Sequence, residues 1–148
     1  MLEVKMLAVL LMTIVVLDAL IFTPTKTKCE VVDALRKAGA REEDLRNWVC
    51  LVEHESGYQY NLRQYNDSGI FQLYDVWCDR QSGYFGTTCY TLNIYGCSDT
   101  CSSFLNEDIS NDAYCAVRIK QCQGFSAWDA WRLYCTDLTS PRYDYSEC

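Results

Sequence analysis

The chain has 148 residues, which is enough for one domain and too few for two of ordinary size. Its net charge of −7 excludes nucleic acid as an expected partner, because an acidic surface repels phosphate backbones. We find no internal repeat and no low-complexity linker. One compact unit is therefore expected. We also expect it to be a monomer.

The N-terminus has the layout of an export signal. A basic residue, Lys5, precedes an apolar run that is interrupted at Asp18 and followed by a polar stretch. A membrane anchor needs an uninterrupted span of roughly 20 apolar residues, whereas this arrangement is typical of a cleaved signal peptide. We predict a signal over residues 1–23, cut between residues 19 and 25. A secreted domain over residues 24–148, without stable membrane association, would follow.

Cysteine usage agrees with an extracellular protein. All ten cysteines lie between Cys29 and Cys148, and an even number behind an export signal predicts a disulfide framework. A zinc site would need close pairs, but only Cys97 and Cys101 come near such spacing, and the sole histidine, His54, lies far away in sequence. We therefore predict a disulfide-rich domain without a cofactor.

Hydrophobic periodicity changes twice along the chain. Apolar residues recur at helical spacing in two early segments, each followed by a glycine, and again near the C-terminus. Tyrosines, asparagines and a glycine between them are typical of short strands. Helices, a small sheet and further helices predict an α+β domain. In chain order we predict helices over about 30–38 and 43–56, strands within 58–73, a long loop over 78–96, and helices over about 109–121 and 126–134.

Two carboxylates draw attention as a chemical pair. Glu55 lies at the end of the second predicted helix, where the helix dipole and shielding by a tryptophan would both raise its pKa. Asp67 lies in a strand-like segment beside Gly69, where we expect it to be exposed and ionised. Each residue alone is explained as a solvated surface group. Together they match the acid and nucleophile of glycoside hydrolysis.

Several ordered segments resemble the C-type lysozymes, especially those of insects. The resemblance covers about residues 29–148 and includes eight matching cysteines. Lysozyme is itself the type example of the carboxylate pairing described above. α-Lactalbumin shares the fold but lacks the glutamate that is present here as Glu55. The segments are 47–56 (NWVCLVEHES), similar to the active-site helix; 67–73 (DSGIFQL), similar to the strand that bears the second carboxylate; 97–116, similar to the third-helix segment; and 127–135, similar to the last helix.

The resemblance implies a lysozyme-like α+β fold, with a helical lobe, a small antiparallel β-sheet lobe and a cleft between them. It implies that Glu55 protonates the bridging oxygen between N-acetylmuramic acid and N-acetylglucosamine in peptidoglycan. Asp67 would stabilise or capture the oxocarbenium ion. Carboxyl groups about 5 Å apart would give retention of configuration.

The resemblance also implies a set of substrate-binding residues. Gln72 would line the cleft, Trp77 would stack against a sugar, and Trp128 would keep Glu55 dry. Asp129 would raise the pKa of Glu55 if it points inward, and would be an ordinary solvated residue if it points outward. Trp131 is expected to be part of the core.

The chain also departs from the family pattern. Ser68 stands where most relatives have tyrosine, and Leu73-Tyr74 stands where they have isoleucine and asparagine. That asparagine helps to hydrogen-bond the sugar and the aspartate, and the segment between the two carboxylates is shorter than usual. An alternative therefore stays open, namely a lysozyme-fold carbohydrate-binding or adhesion protein with little or no hydrolysis.

The resemblance finally implies disulfide pairs and raises two further questions. We hypothesise a fifth bridge, Cys89–Cys122, across the upper cleft. Some relatives bind calcium at the positions of Asn106, Asp108, Asn111 and Asp112, but two amides replace expected carboxylates, so we predict no metal. Asn66 begins a glycosylation sequon that we expect to be unused, because a glycan would crowd Asp67. The implied pairs are Cys29–Cys148, Cys50–Cys135, Cys78–Cys101 and Cys97–Cys115.

Overall fold

The fold was analysed in a computed structural model that describes residues 23–78 and 97–148. It contains four α-helices and a three-stranded antiparallel sheet in this part of the chain, as the predicted α+β class requires. Most of the predicted signal and of the predicted loop over 78–96 lies outside the described residues. The elements are α1 (Lys28–Lys37), α2 (Leu45–Glu55), β1 (Arg63–Gln64), β2 (Asp67–Ser68), β3 (Leu73–Tyr74), α3 (Ser110–Gln123) and α4 (Asp129–Tyr134).

Helix α1 begins at a capping box. The Thr27 hydroxyl accepts a hydrogen bond from the Glu30 backbone N–H, and the Glu30 carboxylate accepts one from the Thr27 N–H. These bonds satisfy donors that the first turn of a helix leaves open. The helix begins two residues before the predicted start, because its cap is made of polar residues that hydrophobic periodicity does not register.

Helix α2 packs an apolar face into the core. A 3₁₀ turn over Glu42–Asp44 precedes it, so the α-helix begins later than predicted. Gly57, with a φ of 56°, turns the chain out of the helix immediately after Ser56. Six residues of α2 are buried in the core. They are Leu45, Trp48, Val49, Cys50, Leu51 and Val52.

The sheet is very short. Its strands have two residues each and follow one another in the order β1, β2, β3. Asp67 lies opposite Gln64 on one side and opposite Tyr74 on the other. Residues that lie opposite each other in antiparallel strands share a face of the sheet. Asp67 and Tyr74 therefore share one face, and Ser68 lies on the other.

The C-terminal segment differs from its prediction. Instead of one helix over 126–134, a 3₁₀ turn over Phe125–Ala127 and helix α4 are separated by Trp128, whose backbone is extended. The extended backbone allows the indole to point into the core, where its Nε1–H donates to the Phe71 carbonyl at 2.8 Å. Tertiary packing thus breaks a segment that has continuous helical spacing.

Trp48 lies at the centre of the core. Its ring makes edge-to-face contacts with Phe71, Phe125 and Trp128, with ring centroids between 4.7 and 5.8 Å apart. These contacts join α2, the sheet lobe and the C-terminal segment. Trp131 is only partly buried; it stacks on Phe125 and donates its indole N–H to Asn47. The prediction that Trp131 lies inside the core was wrong, because its indole packs at the border of the core.

Disulfides connect segments that are distant in sequence. Cys122 is also disulfide-bonded, but its expected partner Cys89 lies outside the described residues, so that pairing stays a prediction. The bridge Cys29–Cys148 closes the longest loop, with a sequence separation of 119. A bridge that closes a loop of this length typically stabilises a domain by about 4 kcal/mol. The structure contains Cys29–Cys148, Cys50–Cys135, Cys78–Cys101 and Cys97–Cys115, the four pairs that the resemblance implies.

No helix within the described ranges 23–78 and 97–148 is both long enough and apolar enough to cross a bilayer.

Candidate active site

A cleft of about 470 Å³ lies between the helices and the small sheet. All the residues that the sequence singled out for catalysis or sugar binding line this cleft, although they come from three separate parts of the chain. Tyr74 and Gln123 line it as well. The residues brought together are Glu55, Asp67, Gln72, Trp77, Trp128 and Asp129.

Glu55 is the last residue of α2, and its carboxyl group is partly buried. Burial raises the pKa of Glu55 to about 7, opposed by a hydrogen bond from the Ala130 N–H at 3.4 Å. The negative charges of Asp67 and Asp129 also contribute to this raised pKa. Glu55 therefore keeps its proton up to about neutral pH, as a general acid must.

Trp128 forms an apolar wall of the cleft beside Glu55. Its side chain is 5% exposed and is fixed by the hydrogen bond to Phe71 and by packing on Trp48. Ala130, which donates to Glu55, lies two residues further along the same segment. One short segment therefore supplies both an apolar wall and a hydrogen-bond donor to the cleft around the acid.

Asp67 is in a different environment from the one predicted. We expected an exposed aspartate, but Asp67 is partly buried, and burial raises its pKa. Asp75 and Asp129 raise the pKa of Asp67 as well, whereas the guanidinium of Arg63 lowers it. The prediction was wrong because strands β1 and β3 flank Asp67 on both sides. The rise is smaller than that at Glu55, so the two carboxyl groups still differ.

The turn after Asp67 depends on Gly69. Its φ is +75°, and a Cβ at this position would lie well inside van der Waals contact with the Asp112 carboxyl and the Phe104 carbonyl. The Gln72 side chain donates to the carbonyls of Gly69 and Leu62 at 2.7 and 3.2 Å. The Gln72 amide therefore holds the turn in place, in addition to lining the cleft.

The two family departures lie on opposite faces of the sheet. Ser68 is fully buried, and its hydroxyl accepts a hydrogen bond from Arg63. Tyr74 is 51% exposed, lies opposite Asp67 in the sheet and lines the cleft. An aromatic ring thus flanks the aspartate where the family resemblance implies an amide.

Two alternatives were open for Asp129: an inward side chain that raises the pKa of Glu55, or an outward, solvated one. The structure shows features of both. Its side chain is 79% exposed and pairs with Arg132, so it points largely outward. Its charge nevertheless raises the pKa of both Glu55 and Asp67. The residue acts on the site through its electric field and makes no direct bond to either carboxyl group in the described structure.

Three of the four calcium candidates make hydrogen bonds to neighbouring groups in the described structure. The side-chain amides of Asn106 and Asn111 donate to the Ser103 carbonyl, at 2.7 and 3.4 Å. Asp112 is fully enclosed, and burial raises its pKa to about 8, so its carboxyl group is neutral at pH 7. Asp108 accepts the Ser110 N–H at 3.0 Å. The absence of a metal at these positions stays a prediction.

Three residues that support the site were missed by the sequence reasoning. The Ser56 hydroxyl donates to the Ile70 carbonyl at 2.7 Å, which ties the end of α2 to the turn after Asp67. Arg63 and Asp75 form an ion pair at 3.0 Å beside β2. Arg63 and Asp75 lie four and eight residues from Asp67 in the sequence, so only the strand register reveals that they pair.

Fold and cleft define a class of protein, an α+β domain with a carboxylate pair between two lobes. The chain belongs to the C-type lysozyme/alpha-lactalbumin family, whose model matches residues 24–148. It is 39% identical to "Lysozyme" of Galleria mellonella over 131 residues, covering 84% of this chain and 99% of that protein. It is 34% identical to "Lysozyme c-1" of Anopheles gambiae (93% of this chain, 95% of that protein) and 34% identical to "Lysozyme C, tracheal isozyme" of Bos taurus (91% and 95%).

Proposed function

We propose that the protein is a secreted, bacteriolytic muramidase that hydrolyses the β-1,4 bond between N-acetylmuramic acid and N-acetylglucosamine in peptidoglycan. One observation carries the proposal. Glu55 and Asp67 line the same cleft, and Glu55 holds its proton up to a pH of about 7. The lysozyme names of the relatives and the disulfide-rich domain support an extracellular glycosidase.

The mechanism starts with a proton transfer. Glu55 donates its proton to the glycosidic oxygen as the bond to the anomeric carbon breaks, and Asp67 stabilises or captures the oxocarbenium-like centre. Glu55, now ionised, takes a proton from the water that attacks the anomeric carbon, which frees Asp67. Two displacements at the same carbon give retention of configuration.

The cleft walls give roles to the remaining residues. Trp128 keeps water away from Glu55, and this desolvation is the main reason why the acid stays protonated. Trp77 and Tyr74 present aromatic groups to a sugar chain. The alternative, a carbohydrate-binding protein with little turnover, is favoured by one observation: Tyr74 lies opposite Asp67, where the family resemblance implies an asparagine.

Lysis of bacterial walls, followed by turbidity, tests the proposal. We expect Glu55→Gln to lower the lysis rate by about 1,000-fold, because general acid catalysis contributes roughly 10²–10⁴-fold. Glu53→Gln is the matched control, since Glu53 lies on the same helix and pairs with Arg142 outside the cleft; it should keep most of the activity. Wild-type protein that binds insoluble peptidoglycan but shows no lysis from acid to neutral pH would establish the carbohydrate-binding alternative instead.

A further inference from the structure

The strand that carries Asp67 has little backbone support. Each strand of the sheet contributes only two residues to the ladder. A side chain that bridges the strands therefore matters more here than in a sheet of ordinary length, whose strands usually have about five residues.

Arg63 is such a side chain. It lies on β1 opposite Ser68, and one guanidinium nitrogen donates to the buried Ser68 hydroxyl on β2. The other donates to the carboxylate of Asp75, which follows β3 directly, at 3.0 Å. One planar group thus connects β1, β2 and the end of β3. A guanidinium is suited to this task because its donors have a fixed fork geometry.

Asp75 depends on this contact. Its Oδ2 pairs with Arg63, whereas Oδ1 is buried and makes no hydrogen bond with any described residue. Its backbone N–H donates to the Asn66 carbonyl at 2.8 Å, which holds Asp75 next to the residue that precedes Asp67. A half-satisfied carboxylate therefore lies close behind the catalytic aspartate.

The charges around Asp67 come from four elements. Glu55 at the end of α2, Asp129 at the start of α4 and Asp75 after β3 are carboxylates, and Arg63 on β1 is the cation. A second cation, Arg132, lies on α4 and pairs with Asp129. Arg63 consequently opposes the repulsion that the carboxylates exert on Asp67.

We infer that Arg63 is a positioning residue for Asp67, because its guanidinium holds the three strands together and neutralises Asp75 on the side of the sheet away from the cleft. Asp67 then keeps both its place and its negative charge in a partly buried, acidic cleft. This inference rests on the proposed function only in giving Asp67 a part in catalysis.

A titration of the Asp67 carboxyl carbon by NMR tests the inference without any need for catalysis. At low ionic strength we expect Arg63→Gln to raise the pKa of Asp67 by about half a unit to one unit, since it removes a cation and frees the charge of Asp75. Asp75→Asn should lower this pKa. The double variant should return it to within about 0.3 units of the wild-type value.

Two further variants separate charge from general structural damage. Arg63→Lys keeps the cation, so the pKa of Asp67 should stay close to its wild-type value. Arg36→Gln removes an arginine that is likewise paired with a carboxylate, Glu42, on α1, and should leave the Asp67 titration unchanged. In lysis assays the acid limb of the pH profile should move with the pKa in each variant.

Shifts of the same sign in Arg63→Gln and Asp75→Asn, or no shift in either, would overturn the inference. If Arg63→Gln does not fold, as judged by circular dichroism, the double variant decides the matter, because it leaves no unpaired charge at Asp75. An Asp67 pKa in the double variant no higher than in Asp75→Asn alone would overturn the inference. A wild-type protein that lyses no walls overturns the proposed function but leaves this titration intact, so the two failures are distinguishable.

Discussion

The two walls of the cleft are built by different physical means. Glu55 ends an eleven-residue helix with six buried residues, and the disulfide Cys50–Cys135 ties this helix to the C-terminal segment. Asp67 lies in a two-residue strand. A side-chain hydrogen bond from Arg63 reaches Ser68 of this strand, and bonds from Ser56 and Gln72 reach the turn after it. Hydrophobic packing and a covalent bond fix the acid, whereas polar contacts fix its partner.

This difference predicts different responses to mutation. Changes on the helical wall should act mainly through burial, and thus through the pKa of Glu55. Changes on the sheet wall should act mainly through conformation, because few ladder bonds oppose a displacement of β2. The following variants test that division, beginning with the largest expected loss of stability.

Gly69→Ala should cause the largest loss on the sheet wall. The left-handed backbone costs about 1 kcal/mol for a non-glycine residue, and overpacking against Asp112 and Phe104 costs roughly a further 1–3 kcal/mol. Urea denaturation should therefore show a loss of about 3 kcal/mol in the free energy of unfolding. Gly39→Ala is the control, because Gly39 also has a positive φ but nothing lies within 4 Å of its Cβ position. Equal losses in both variants would contradict a steric requirement at Gly69.

Trp128→Phe tests the helical wall. The loss of the indole hydrogen bond and of buried ring area should lower the free energy of unfolding by about 2 kcal/mol. Water that enters beside Glu55 should also lower its pKa, so the basic limb of the lysis profile should move to lower pH.

Trp131→Phe is the matched control for Trp128→Phe. It removes an indole bond of similar kind, to Asn47 at 3.0 Å, from a residue that does not line the described part of the cleft. We expect a loss of about 1 kcal/mol and an unchanged basic limb. A shift of the basic limb in this variant would show that the pKa of Glu55 responds to stability in general.

The buried carboxyl group of Asp112, below Gly69, should make the free energy of unfolding depend on pH. Its pKa is raised to about 8 by burial, so the folded state keeps a proton that the unfolded chain releases near pH 4. Its contribution to stability is therefore complete in acid and is lost as the pH rises through about 8. Asp112→Asn should become more stable relative to wild type as the pH increases from about 4 to about 8, in urea denaturation at each pH.

Asp108→Asn is the control of opposite sign. Hydrogen bonds with Ser110 lower the pKa of Asp108, so its contribution is present above the unfolded pKa and is lost in acid. This variant should lose stability relative to wild type at neutral pH. A stability difference for Asp112→Asn that does not vary with pH would refute the raised pKa of Asp112.

Asp129→Asn should have the smallest effect. Removal of an exposed charge near the cleft should lower the pKa of Glu55 by a few tenths of a unit, and the basic limb of lysis should follow. Asp33→Asn removes an exposed aspartate that likewise pairs within its own helix, with Lys37 on α1, and should leave the limb in place. High salt should abolish the difference between the two variants.

Local sequence patterns were sufficient for the approximate position of most helices and for that of Glu55. Helical spacing and the glycine after it located the end of α2, and Glu55 lies at that end. The extended backbone at Trp128 was not predictable in this way, because both neighbouring turns are helical and only packing against Trp48 and Phe71 breaks them apart.

The sequence by itself determined the α+β class, the family and the two carboxylates, since capping, periodicity and ordered motifs are properties of neighbouring residues. Only the tertiary structure decided that Asp67 is partly buried, that Asp112 lies beneath Gly69, and that Arg63 faces Asp75. Burial and electrostatic pairing depend on which distant segments meet, and that follows from the packing of the whole domain around one core.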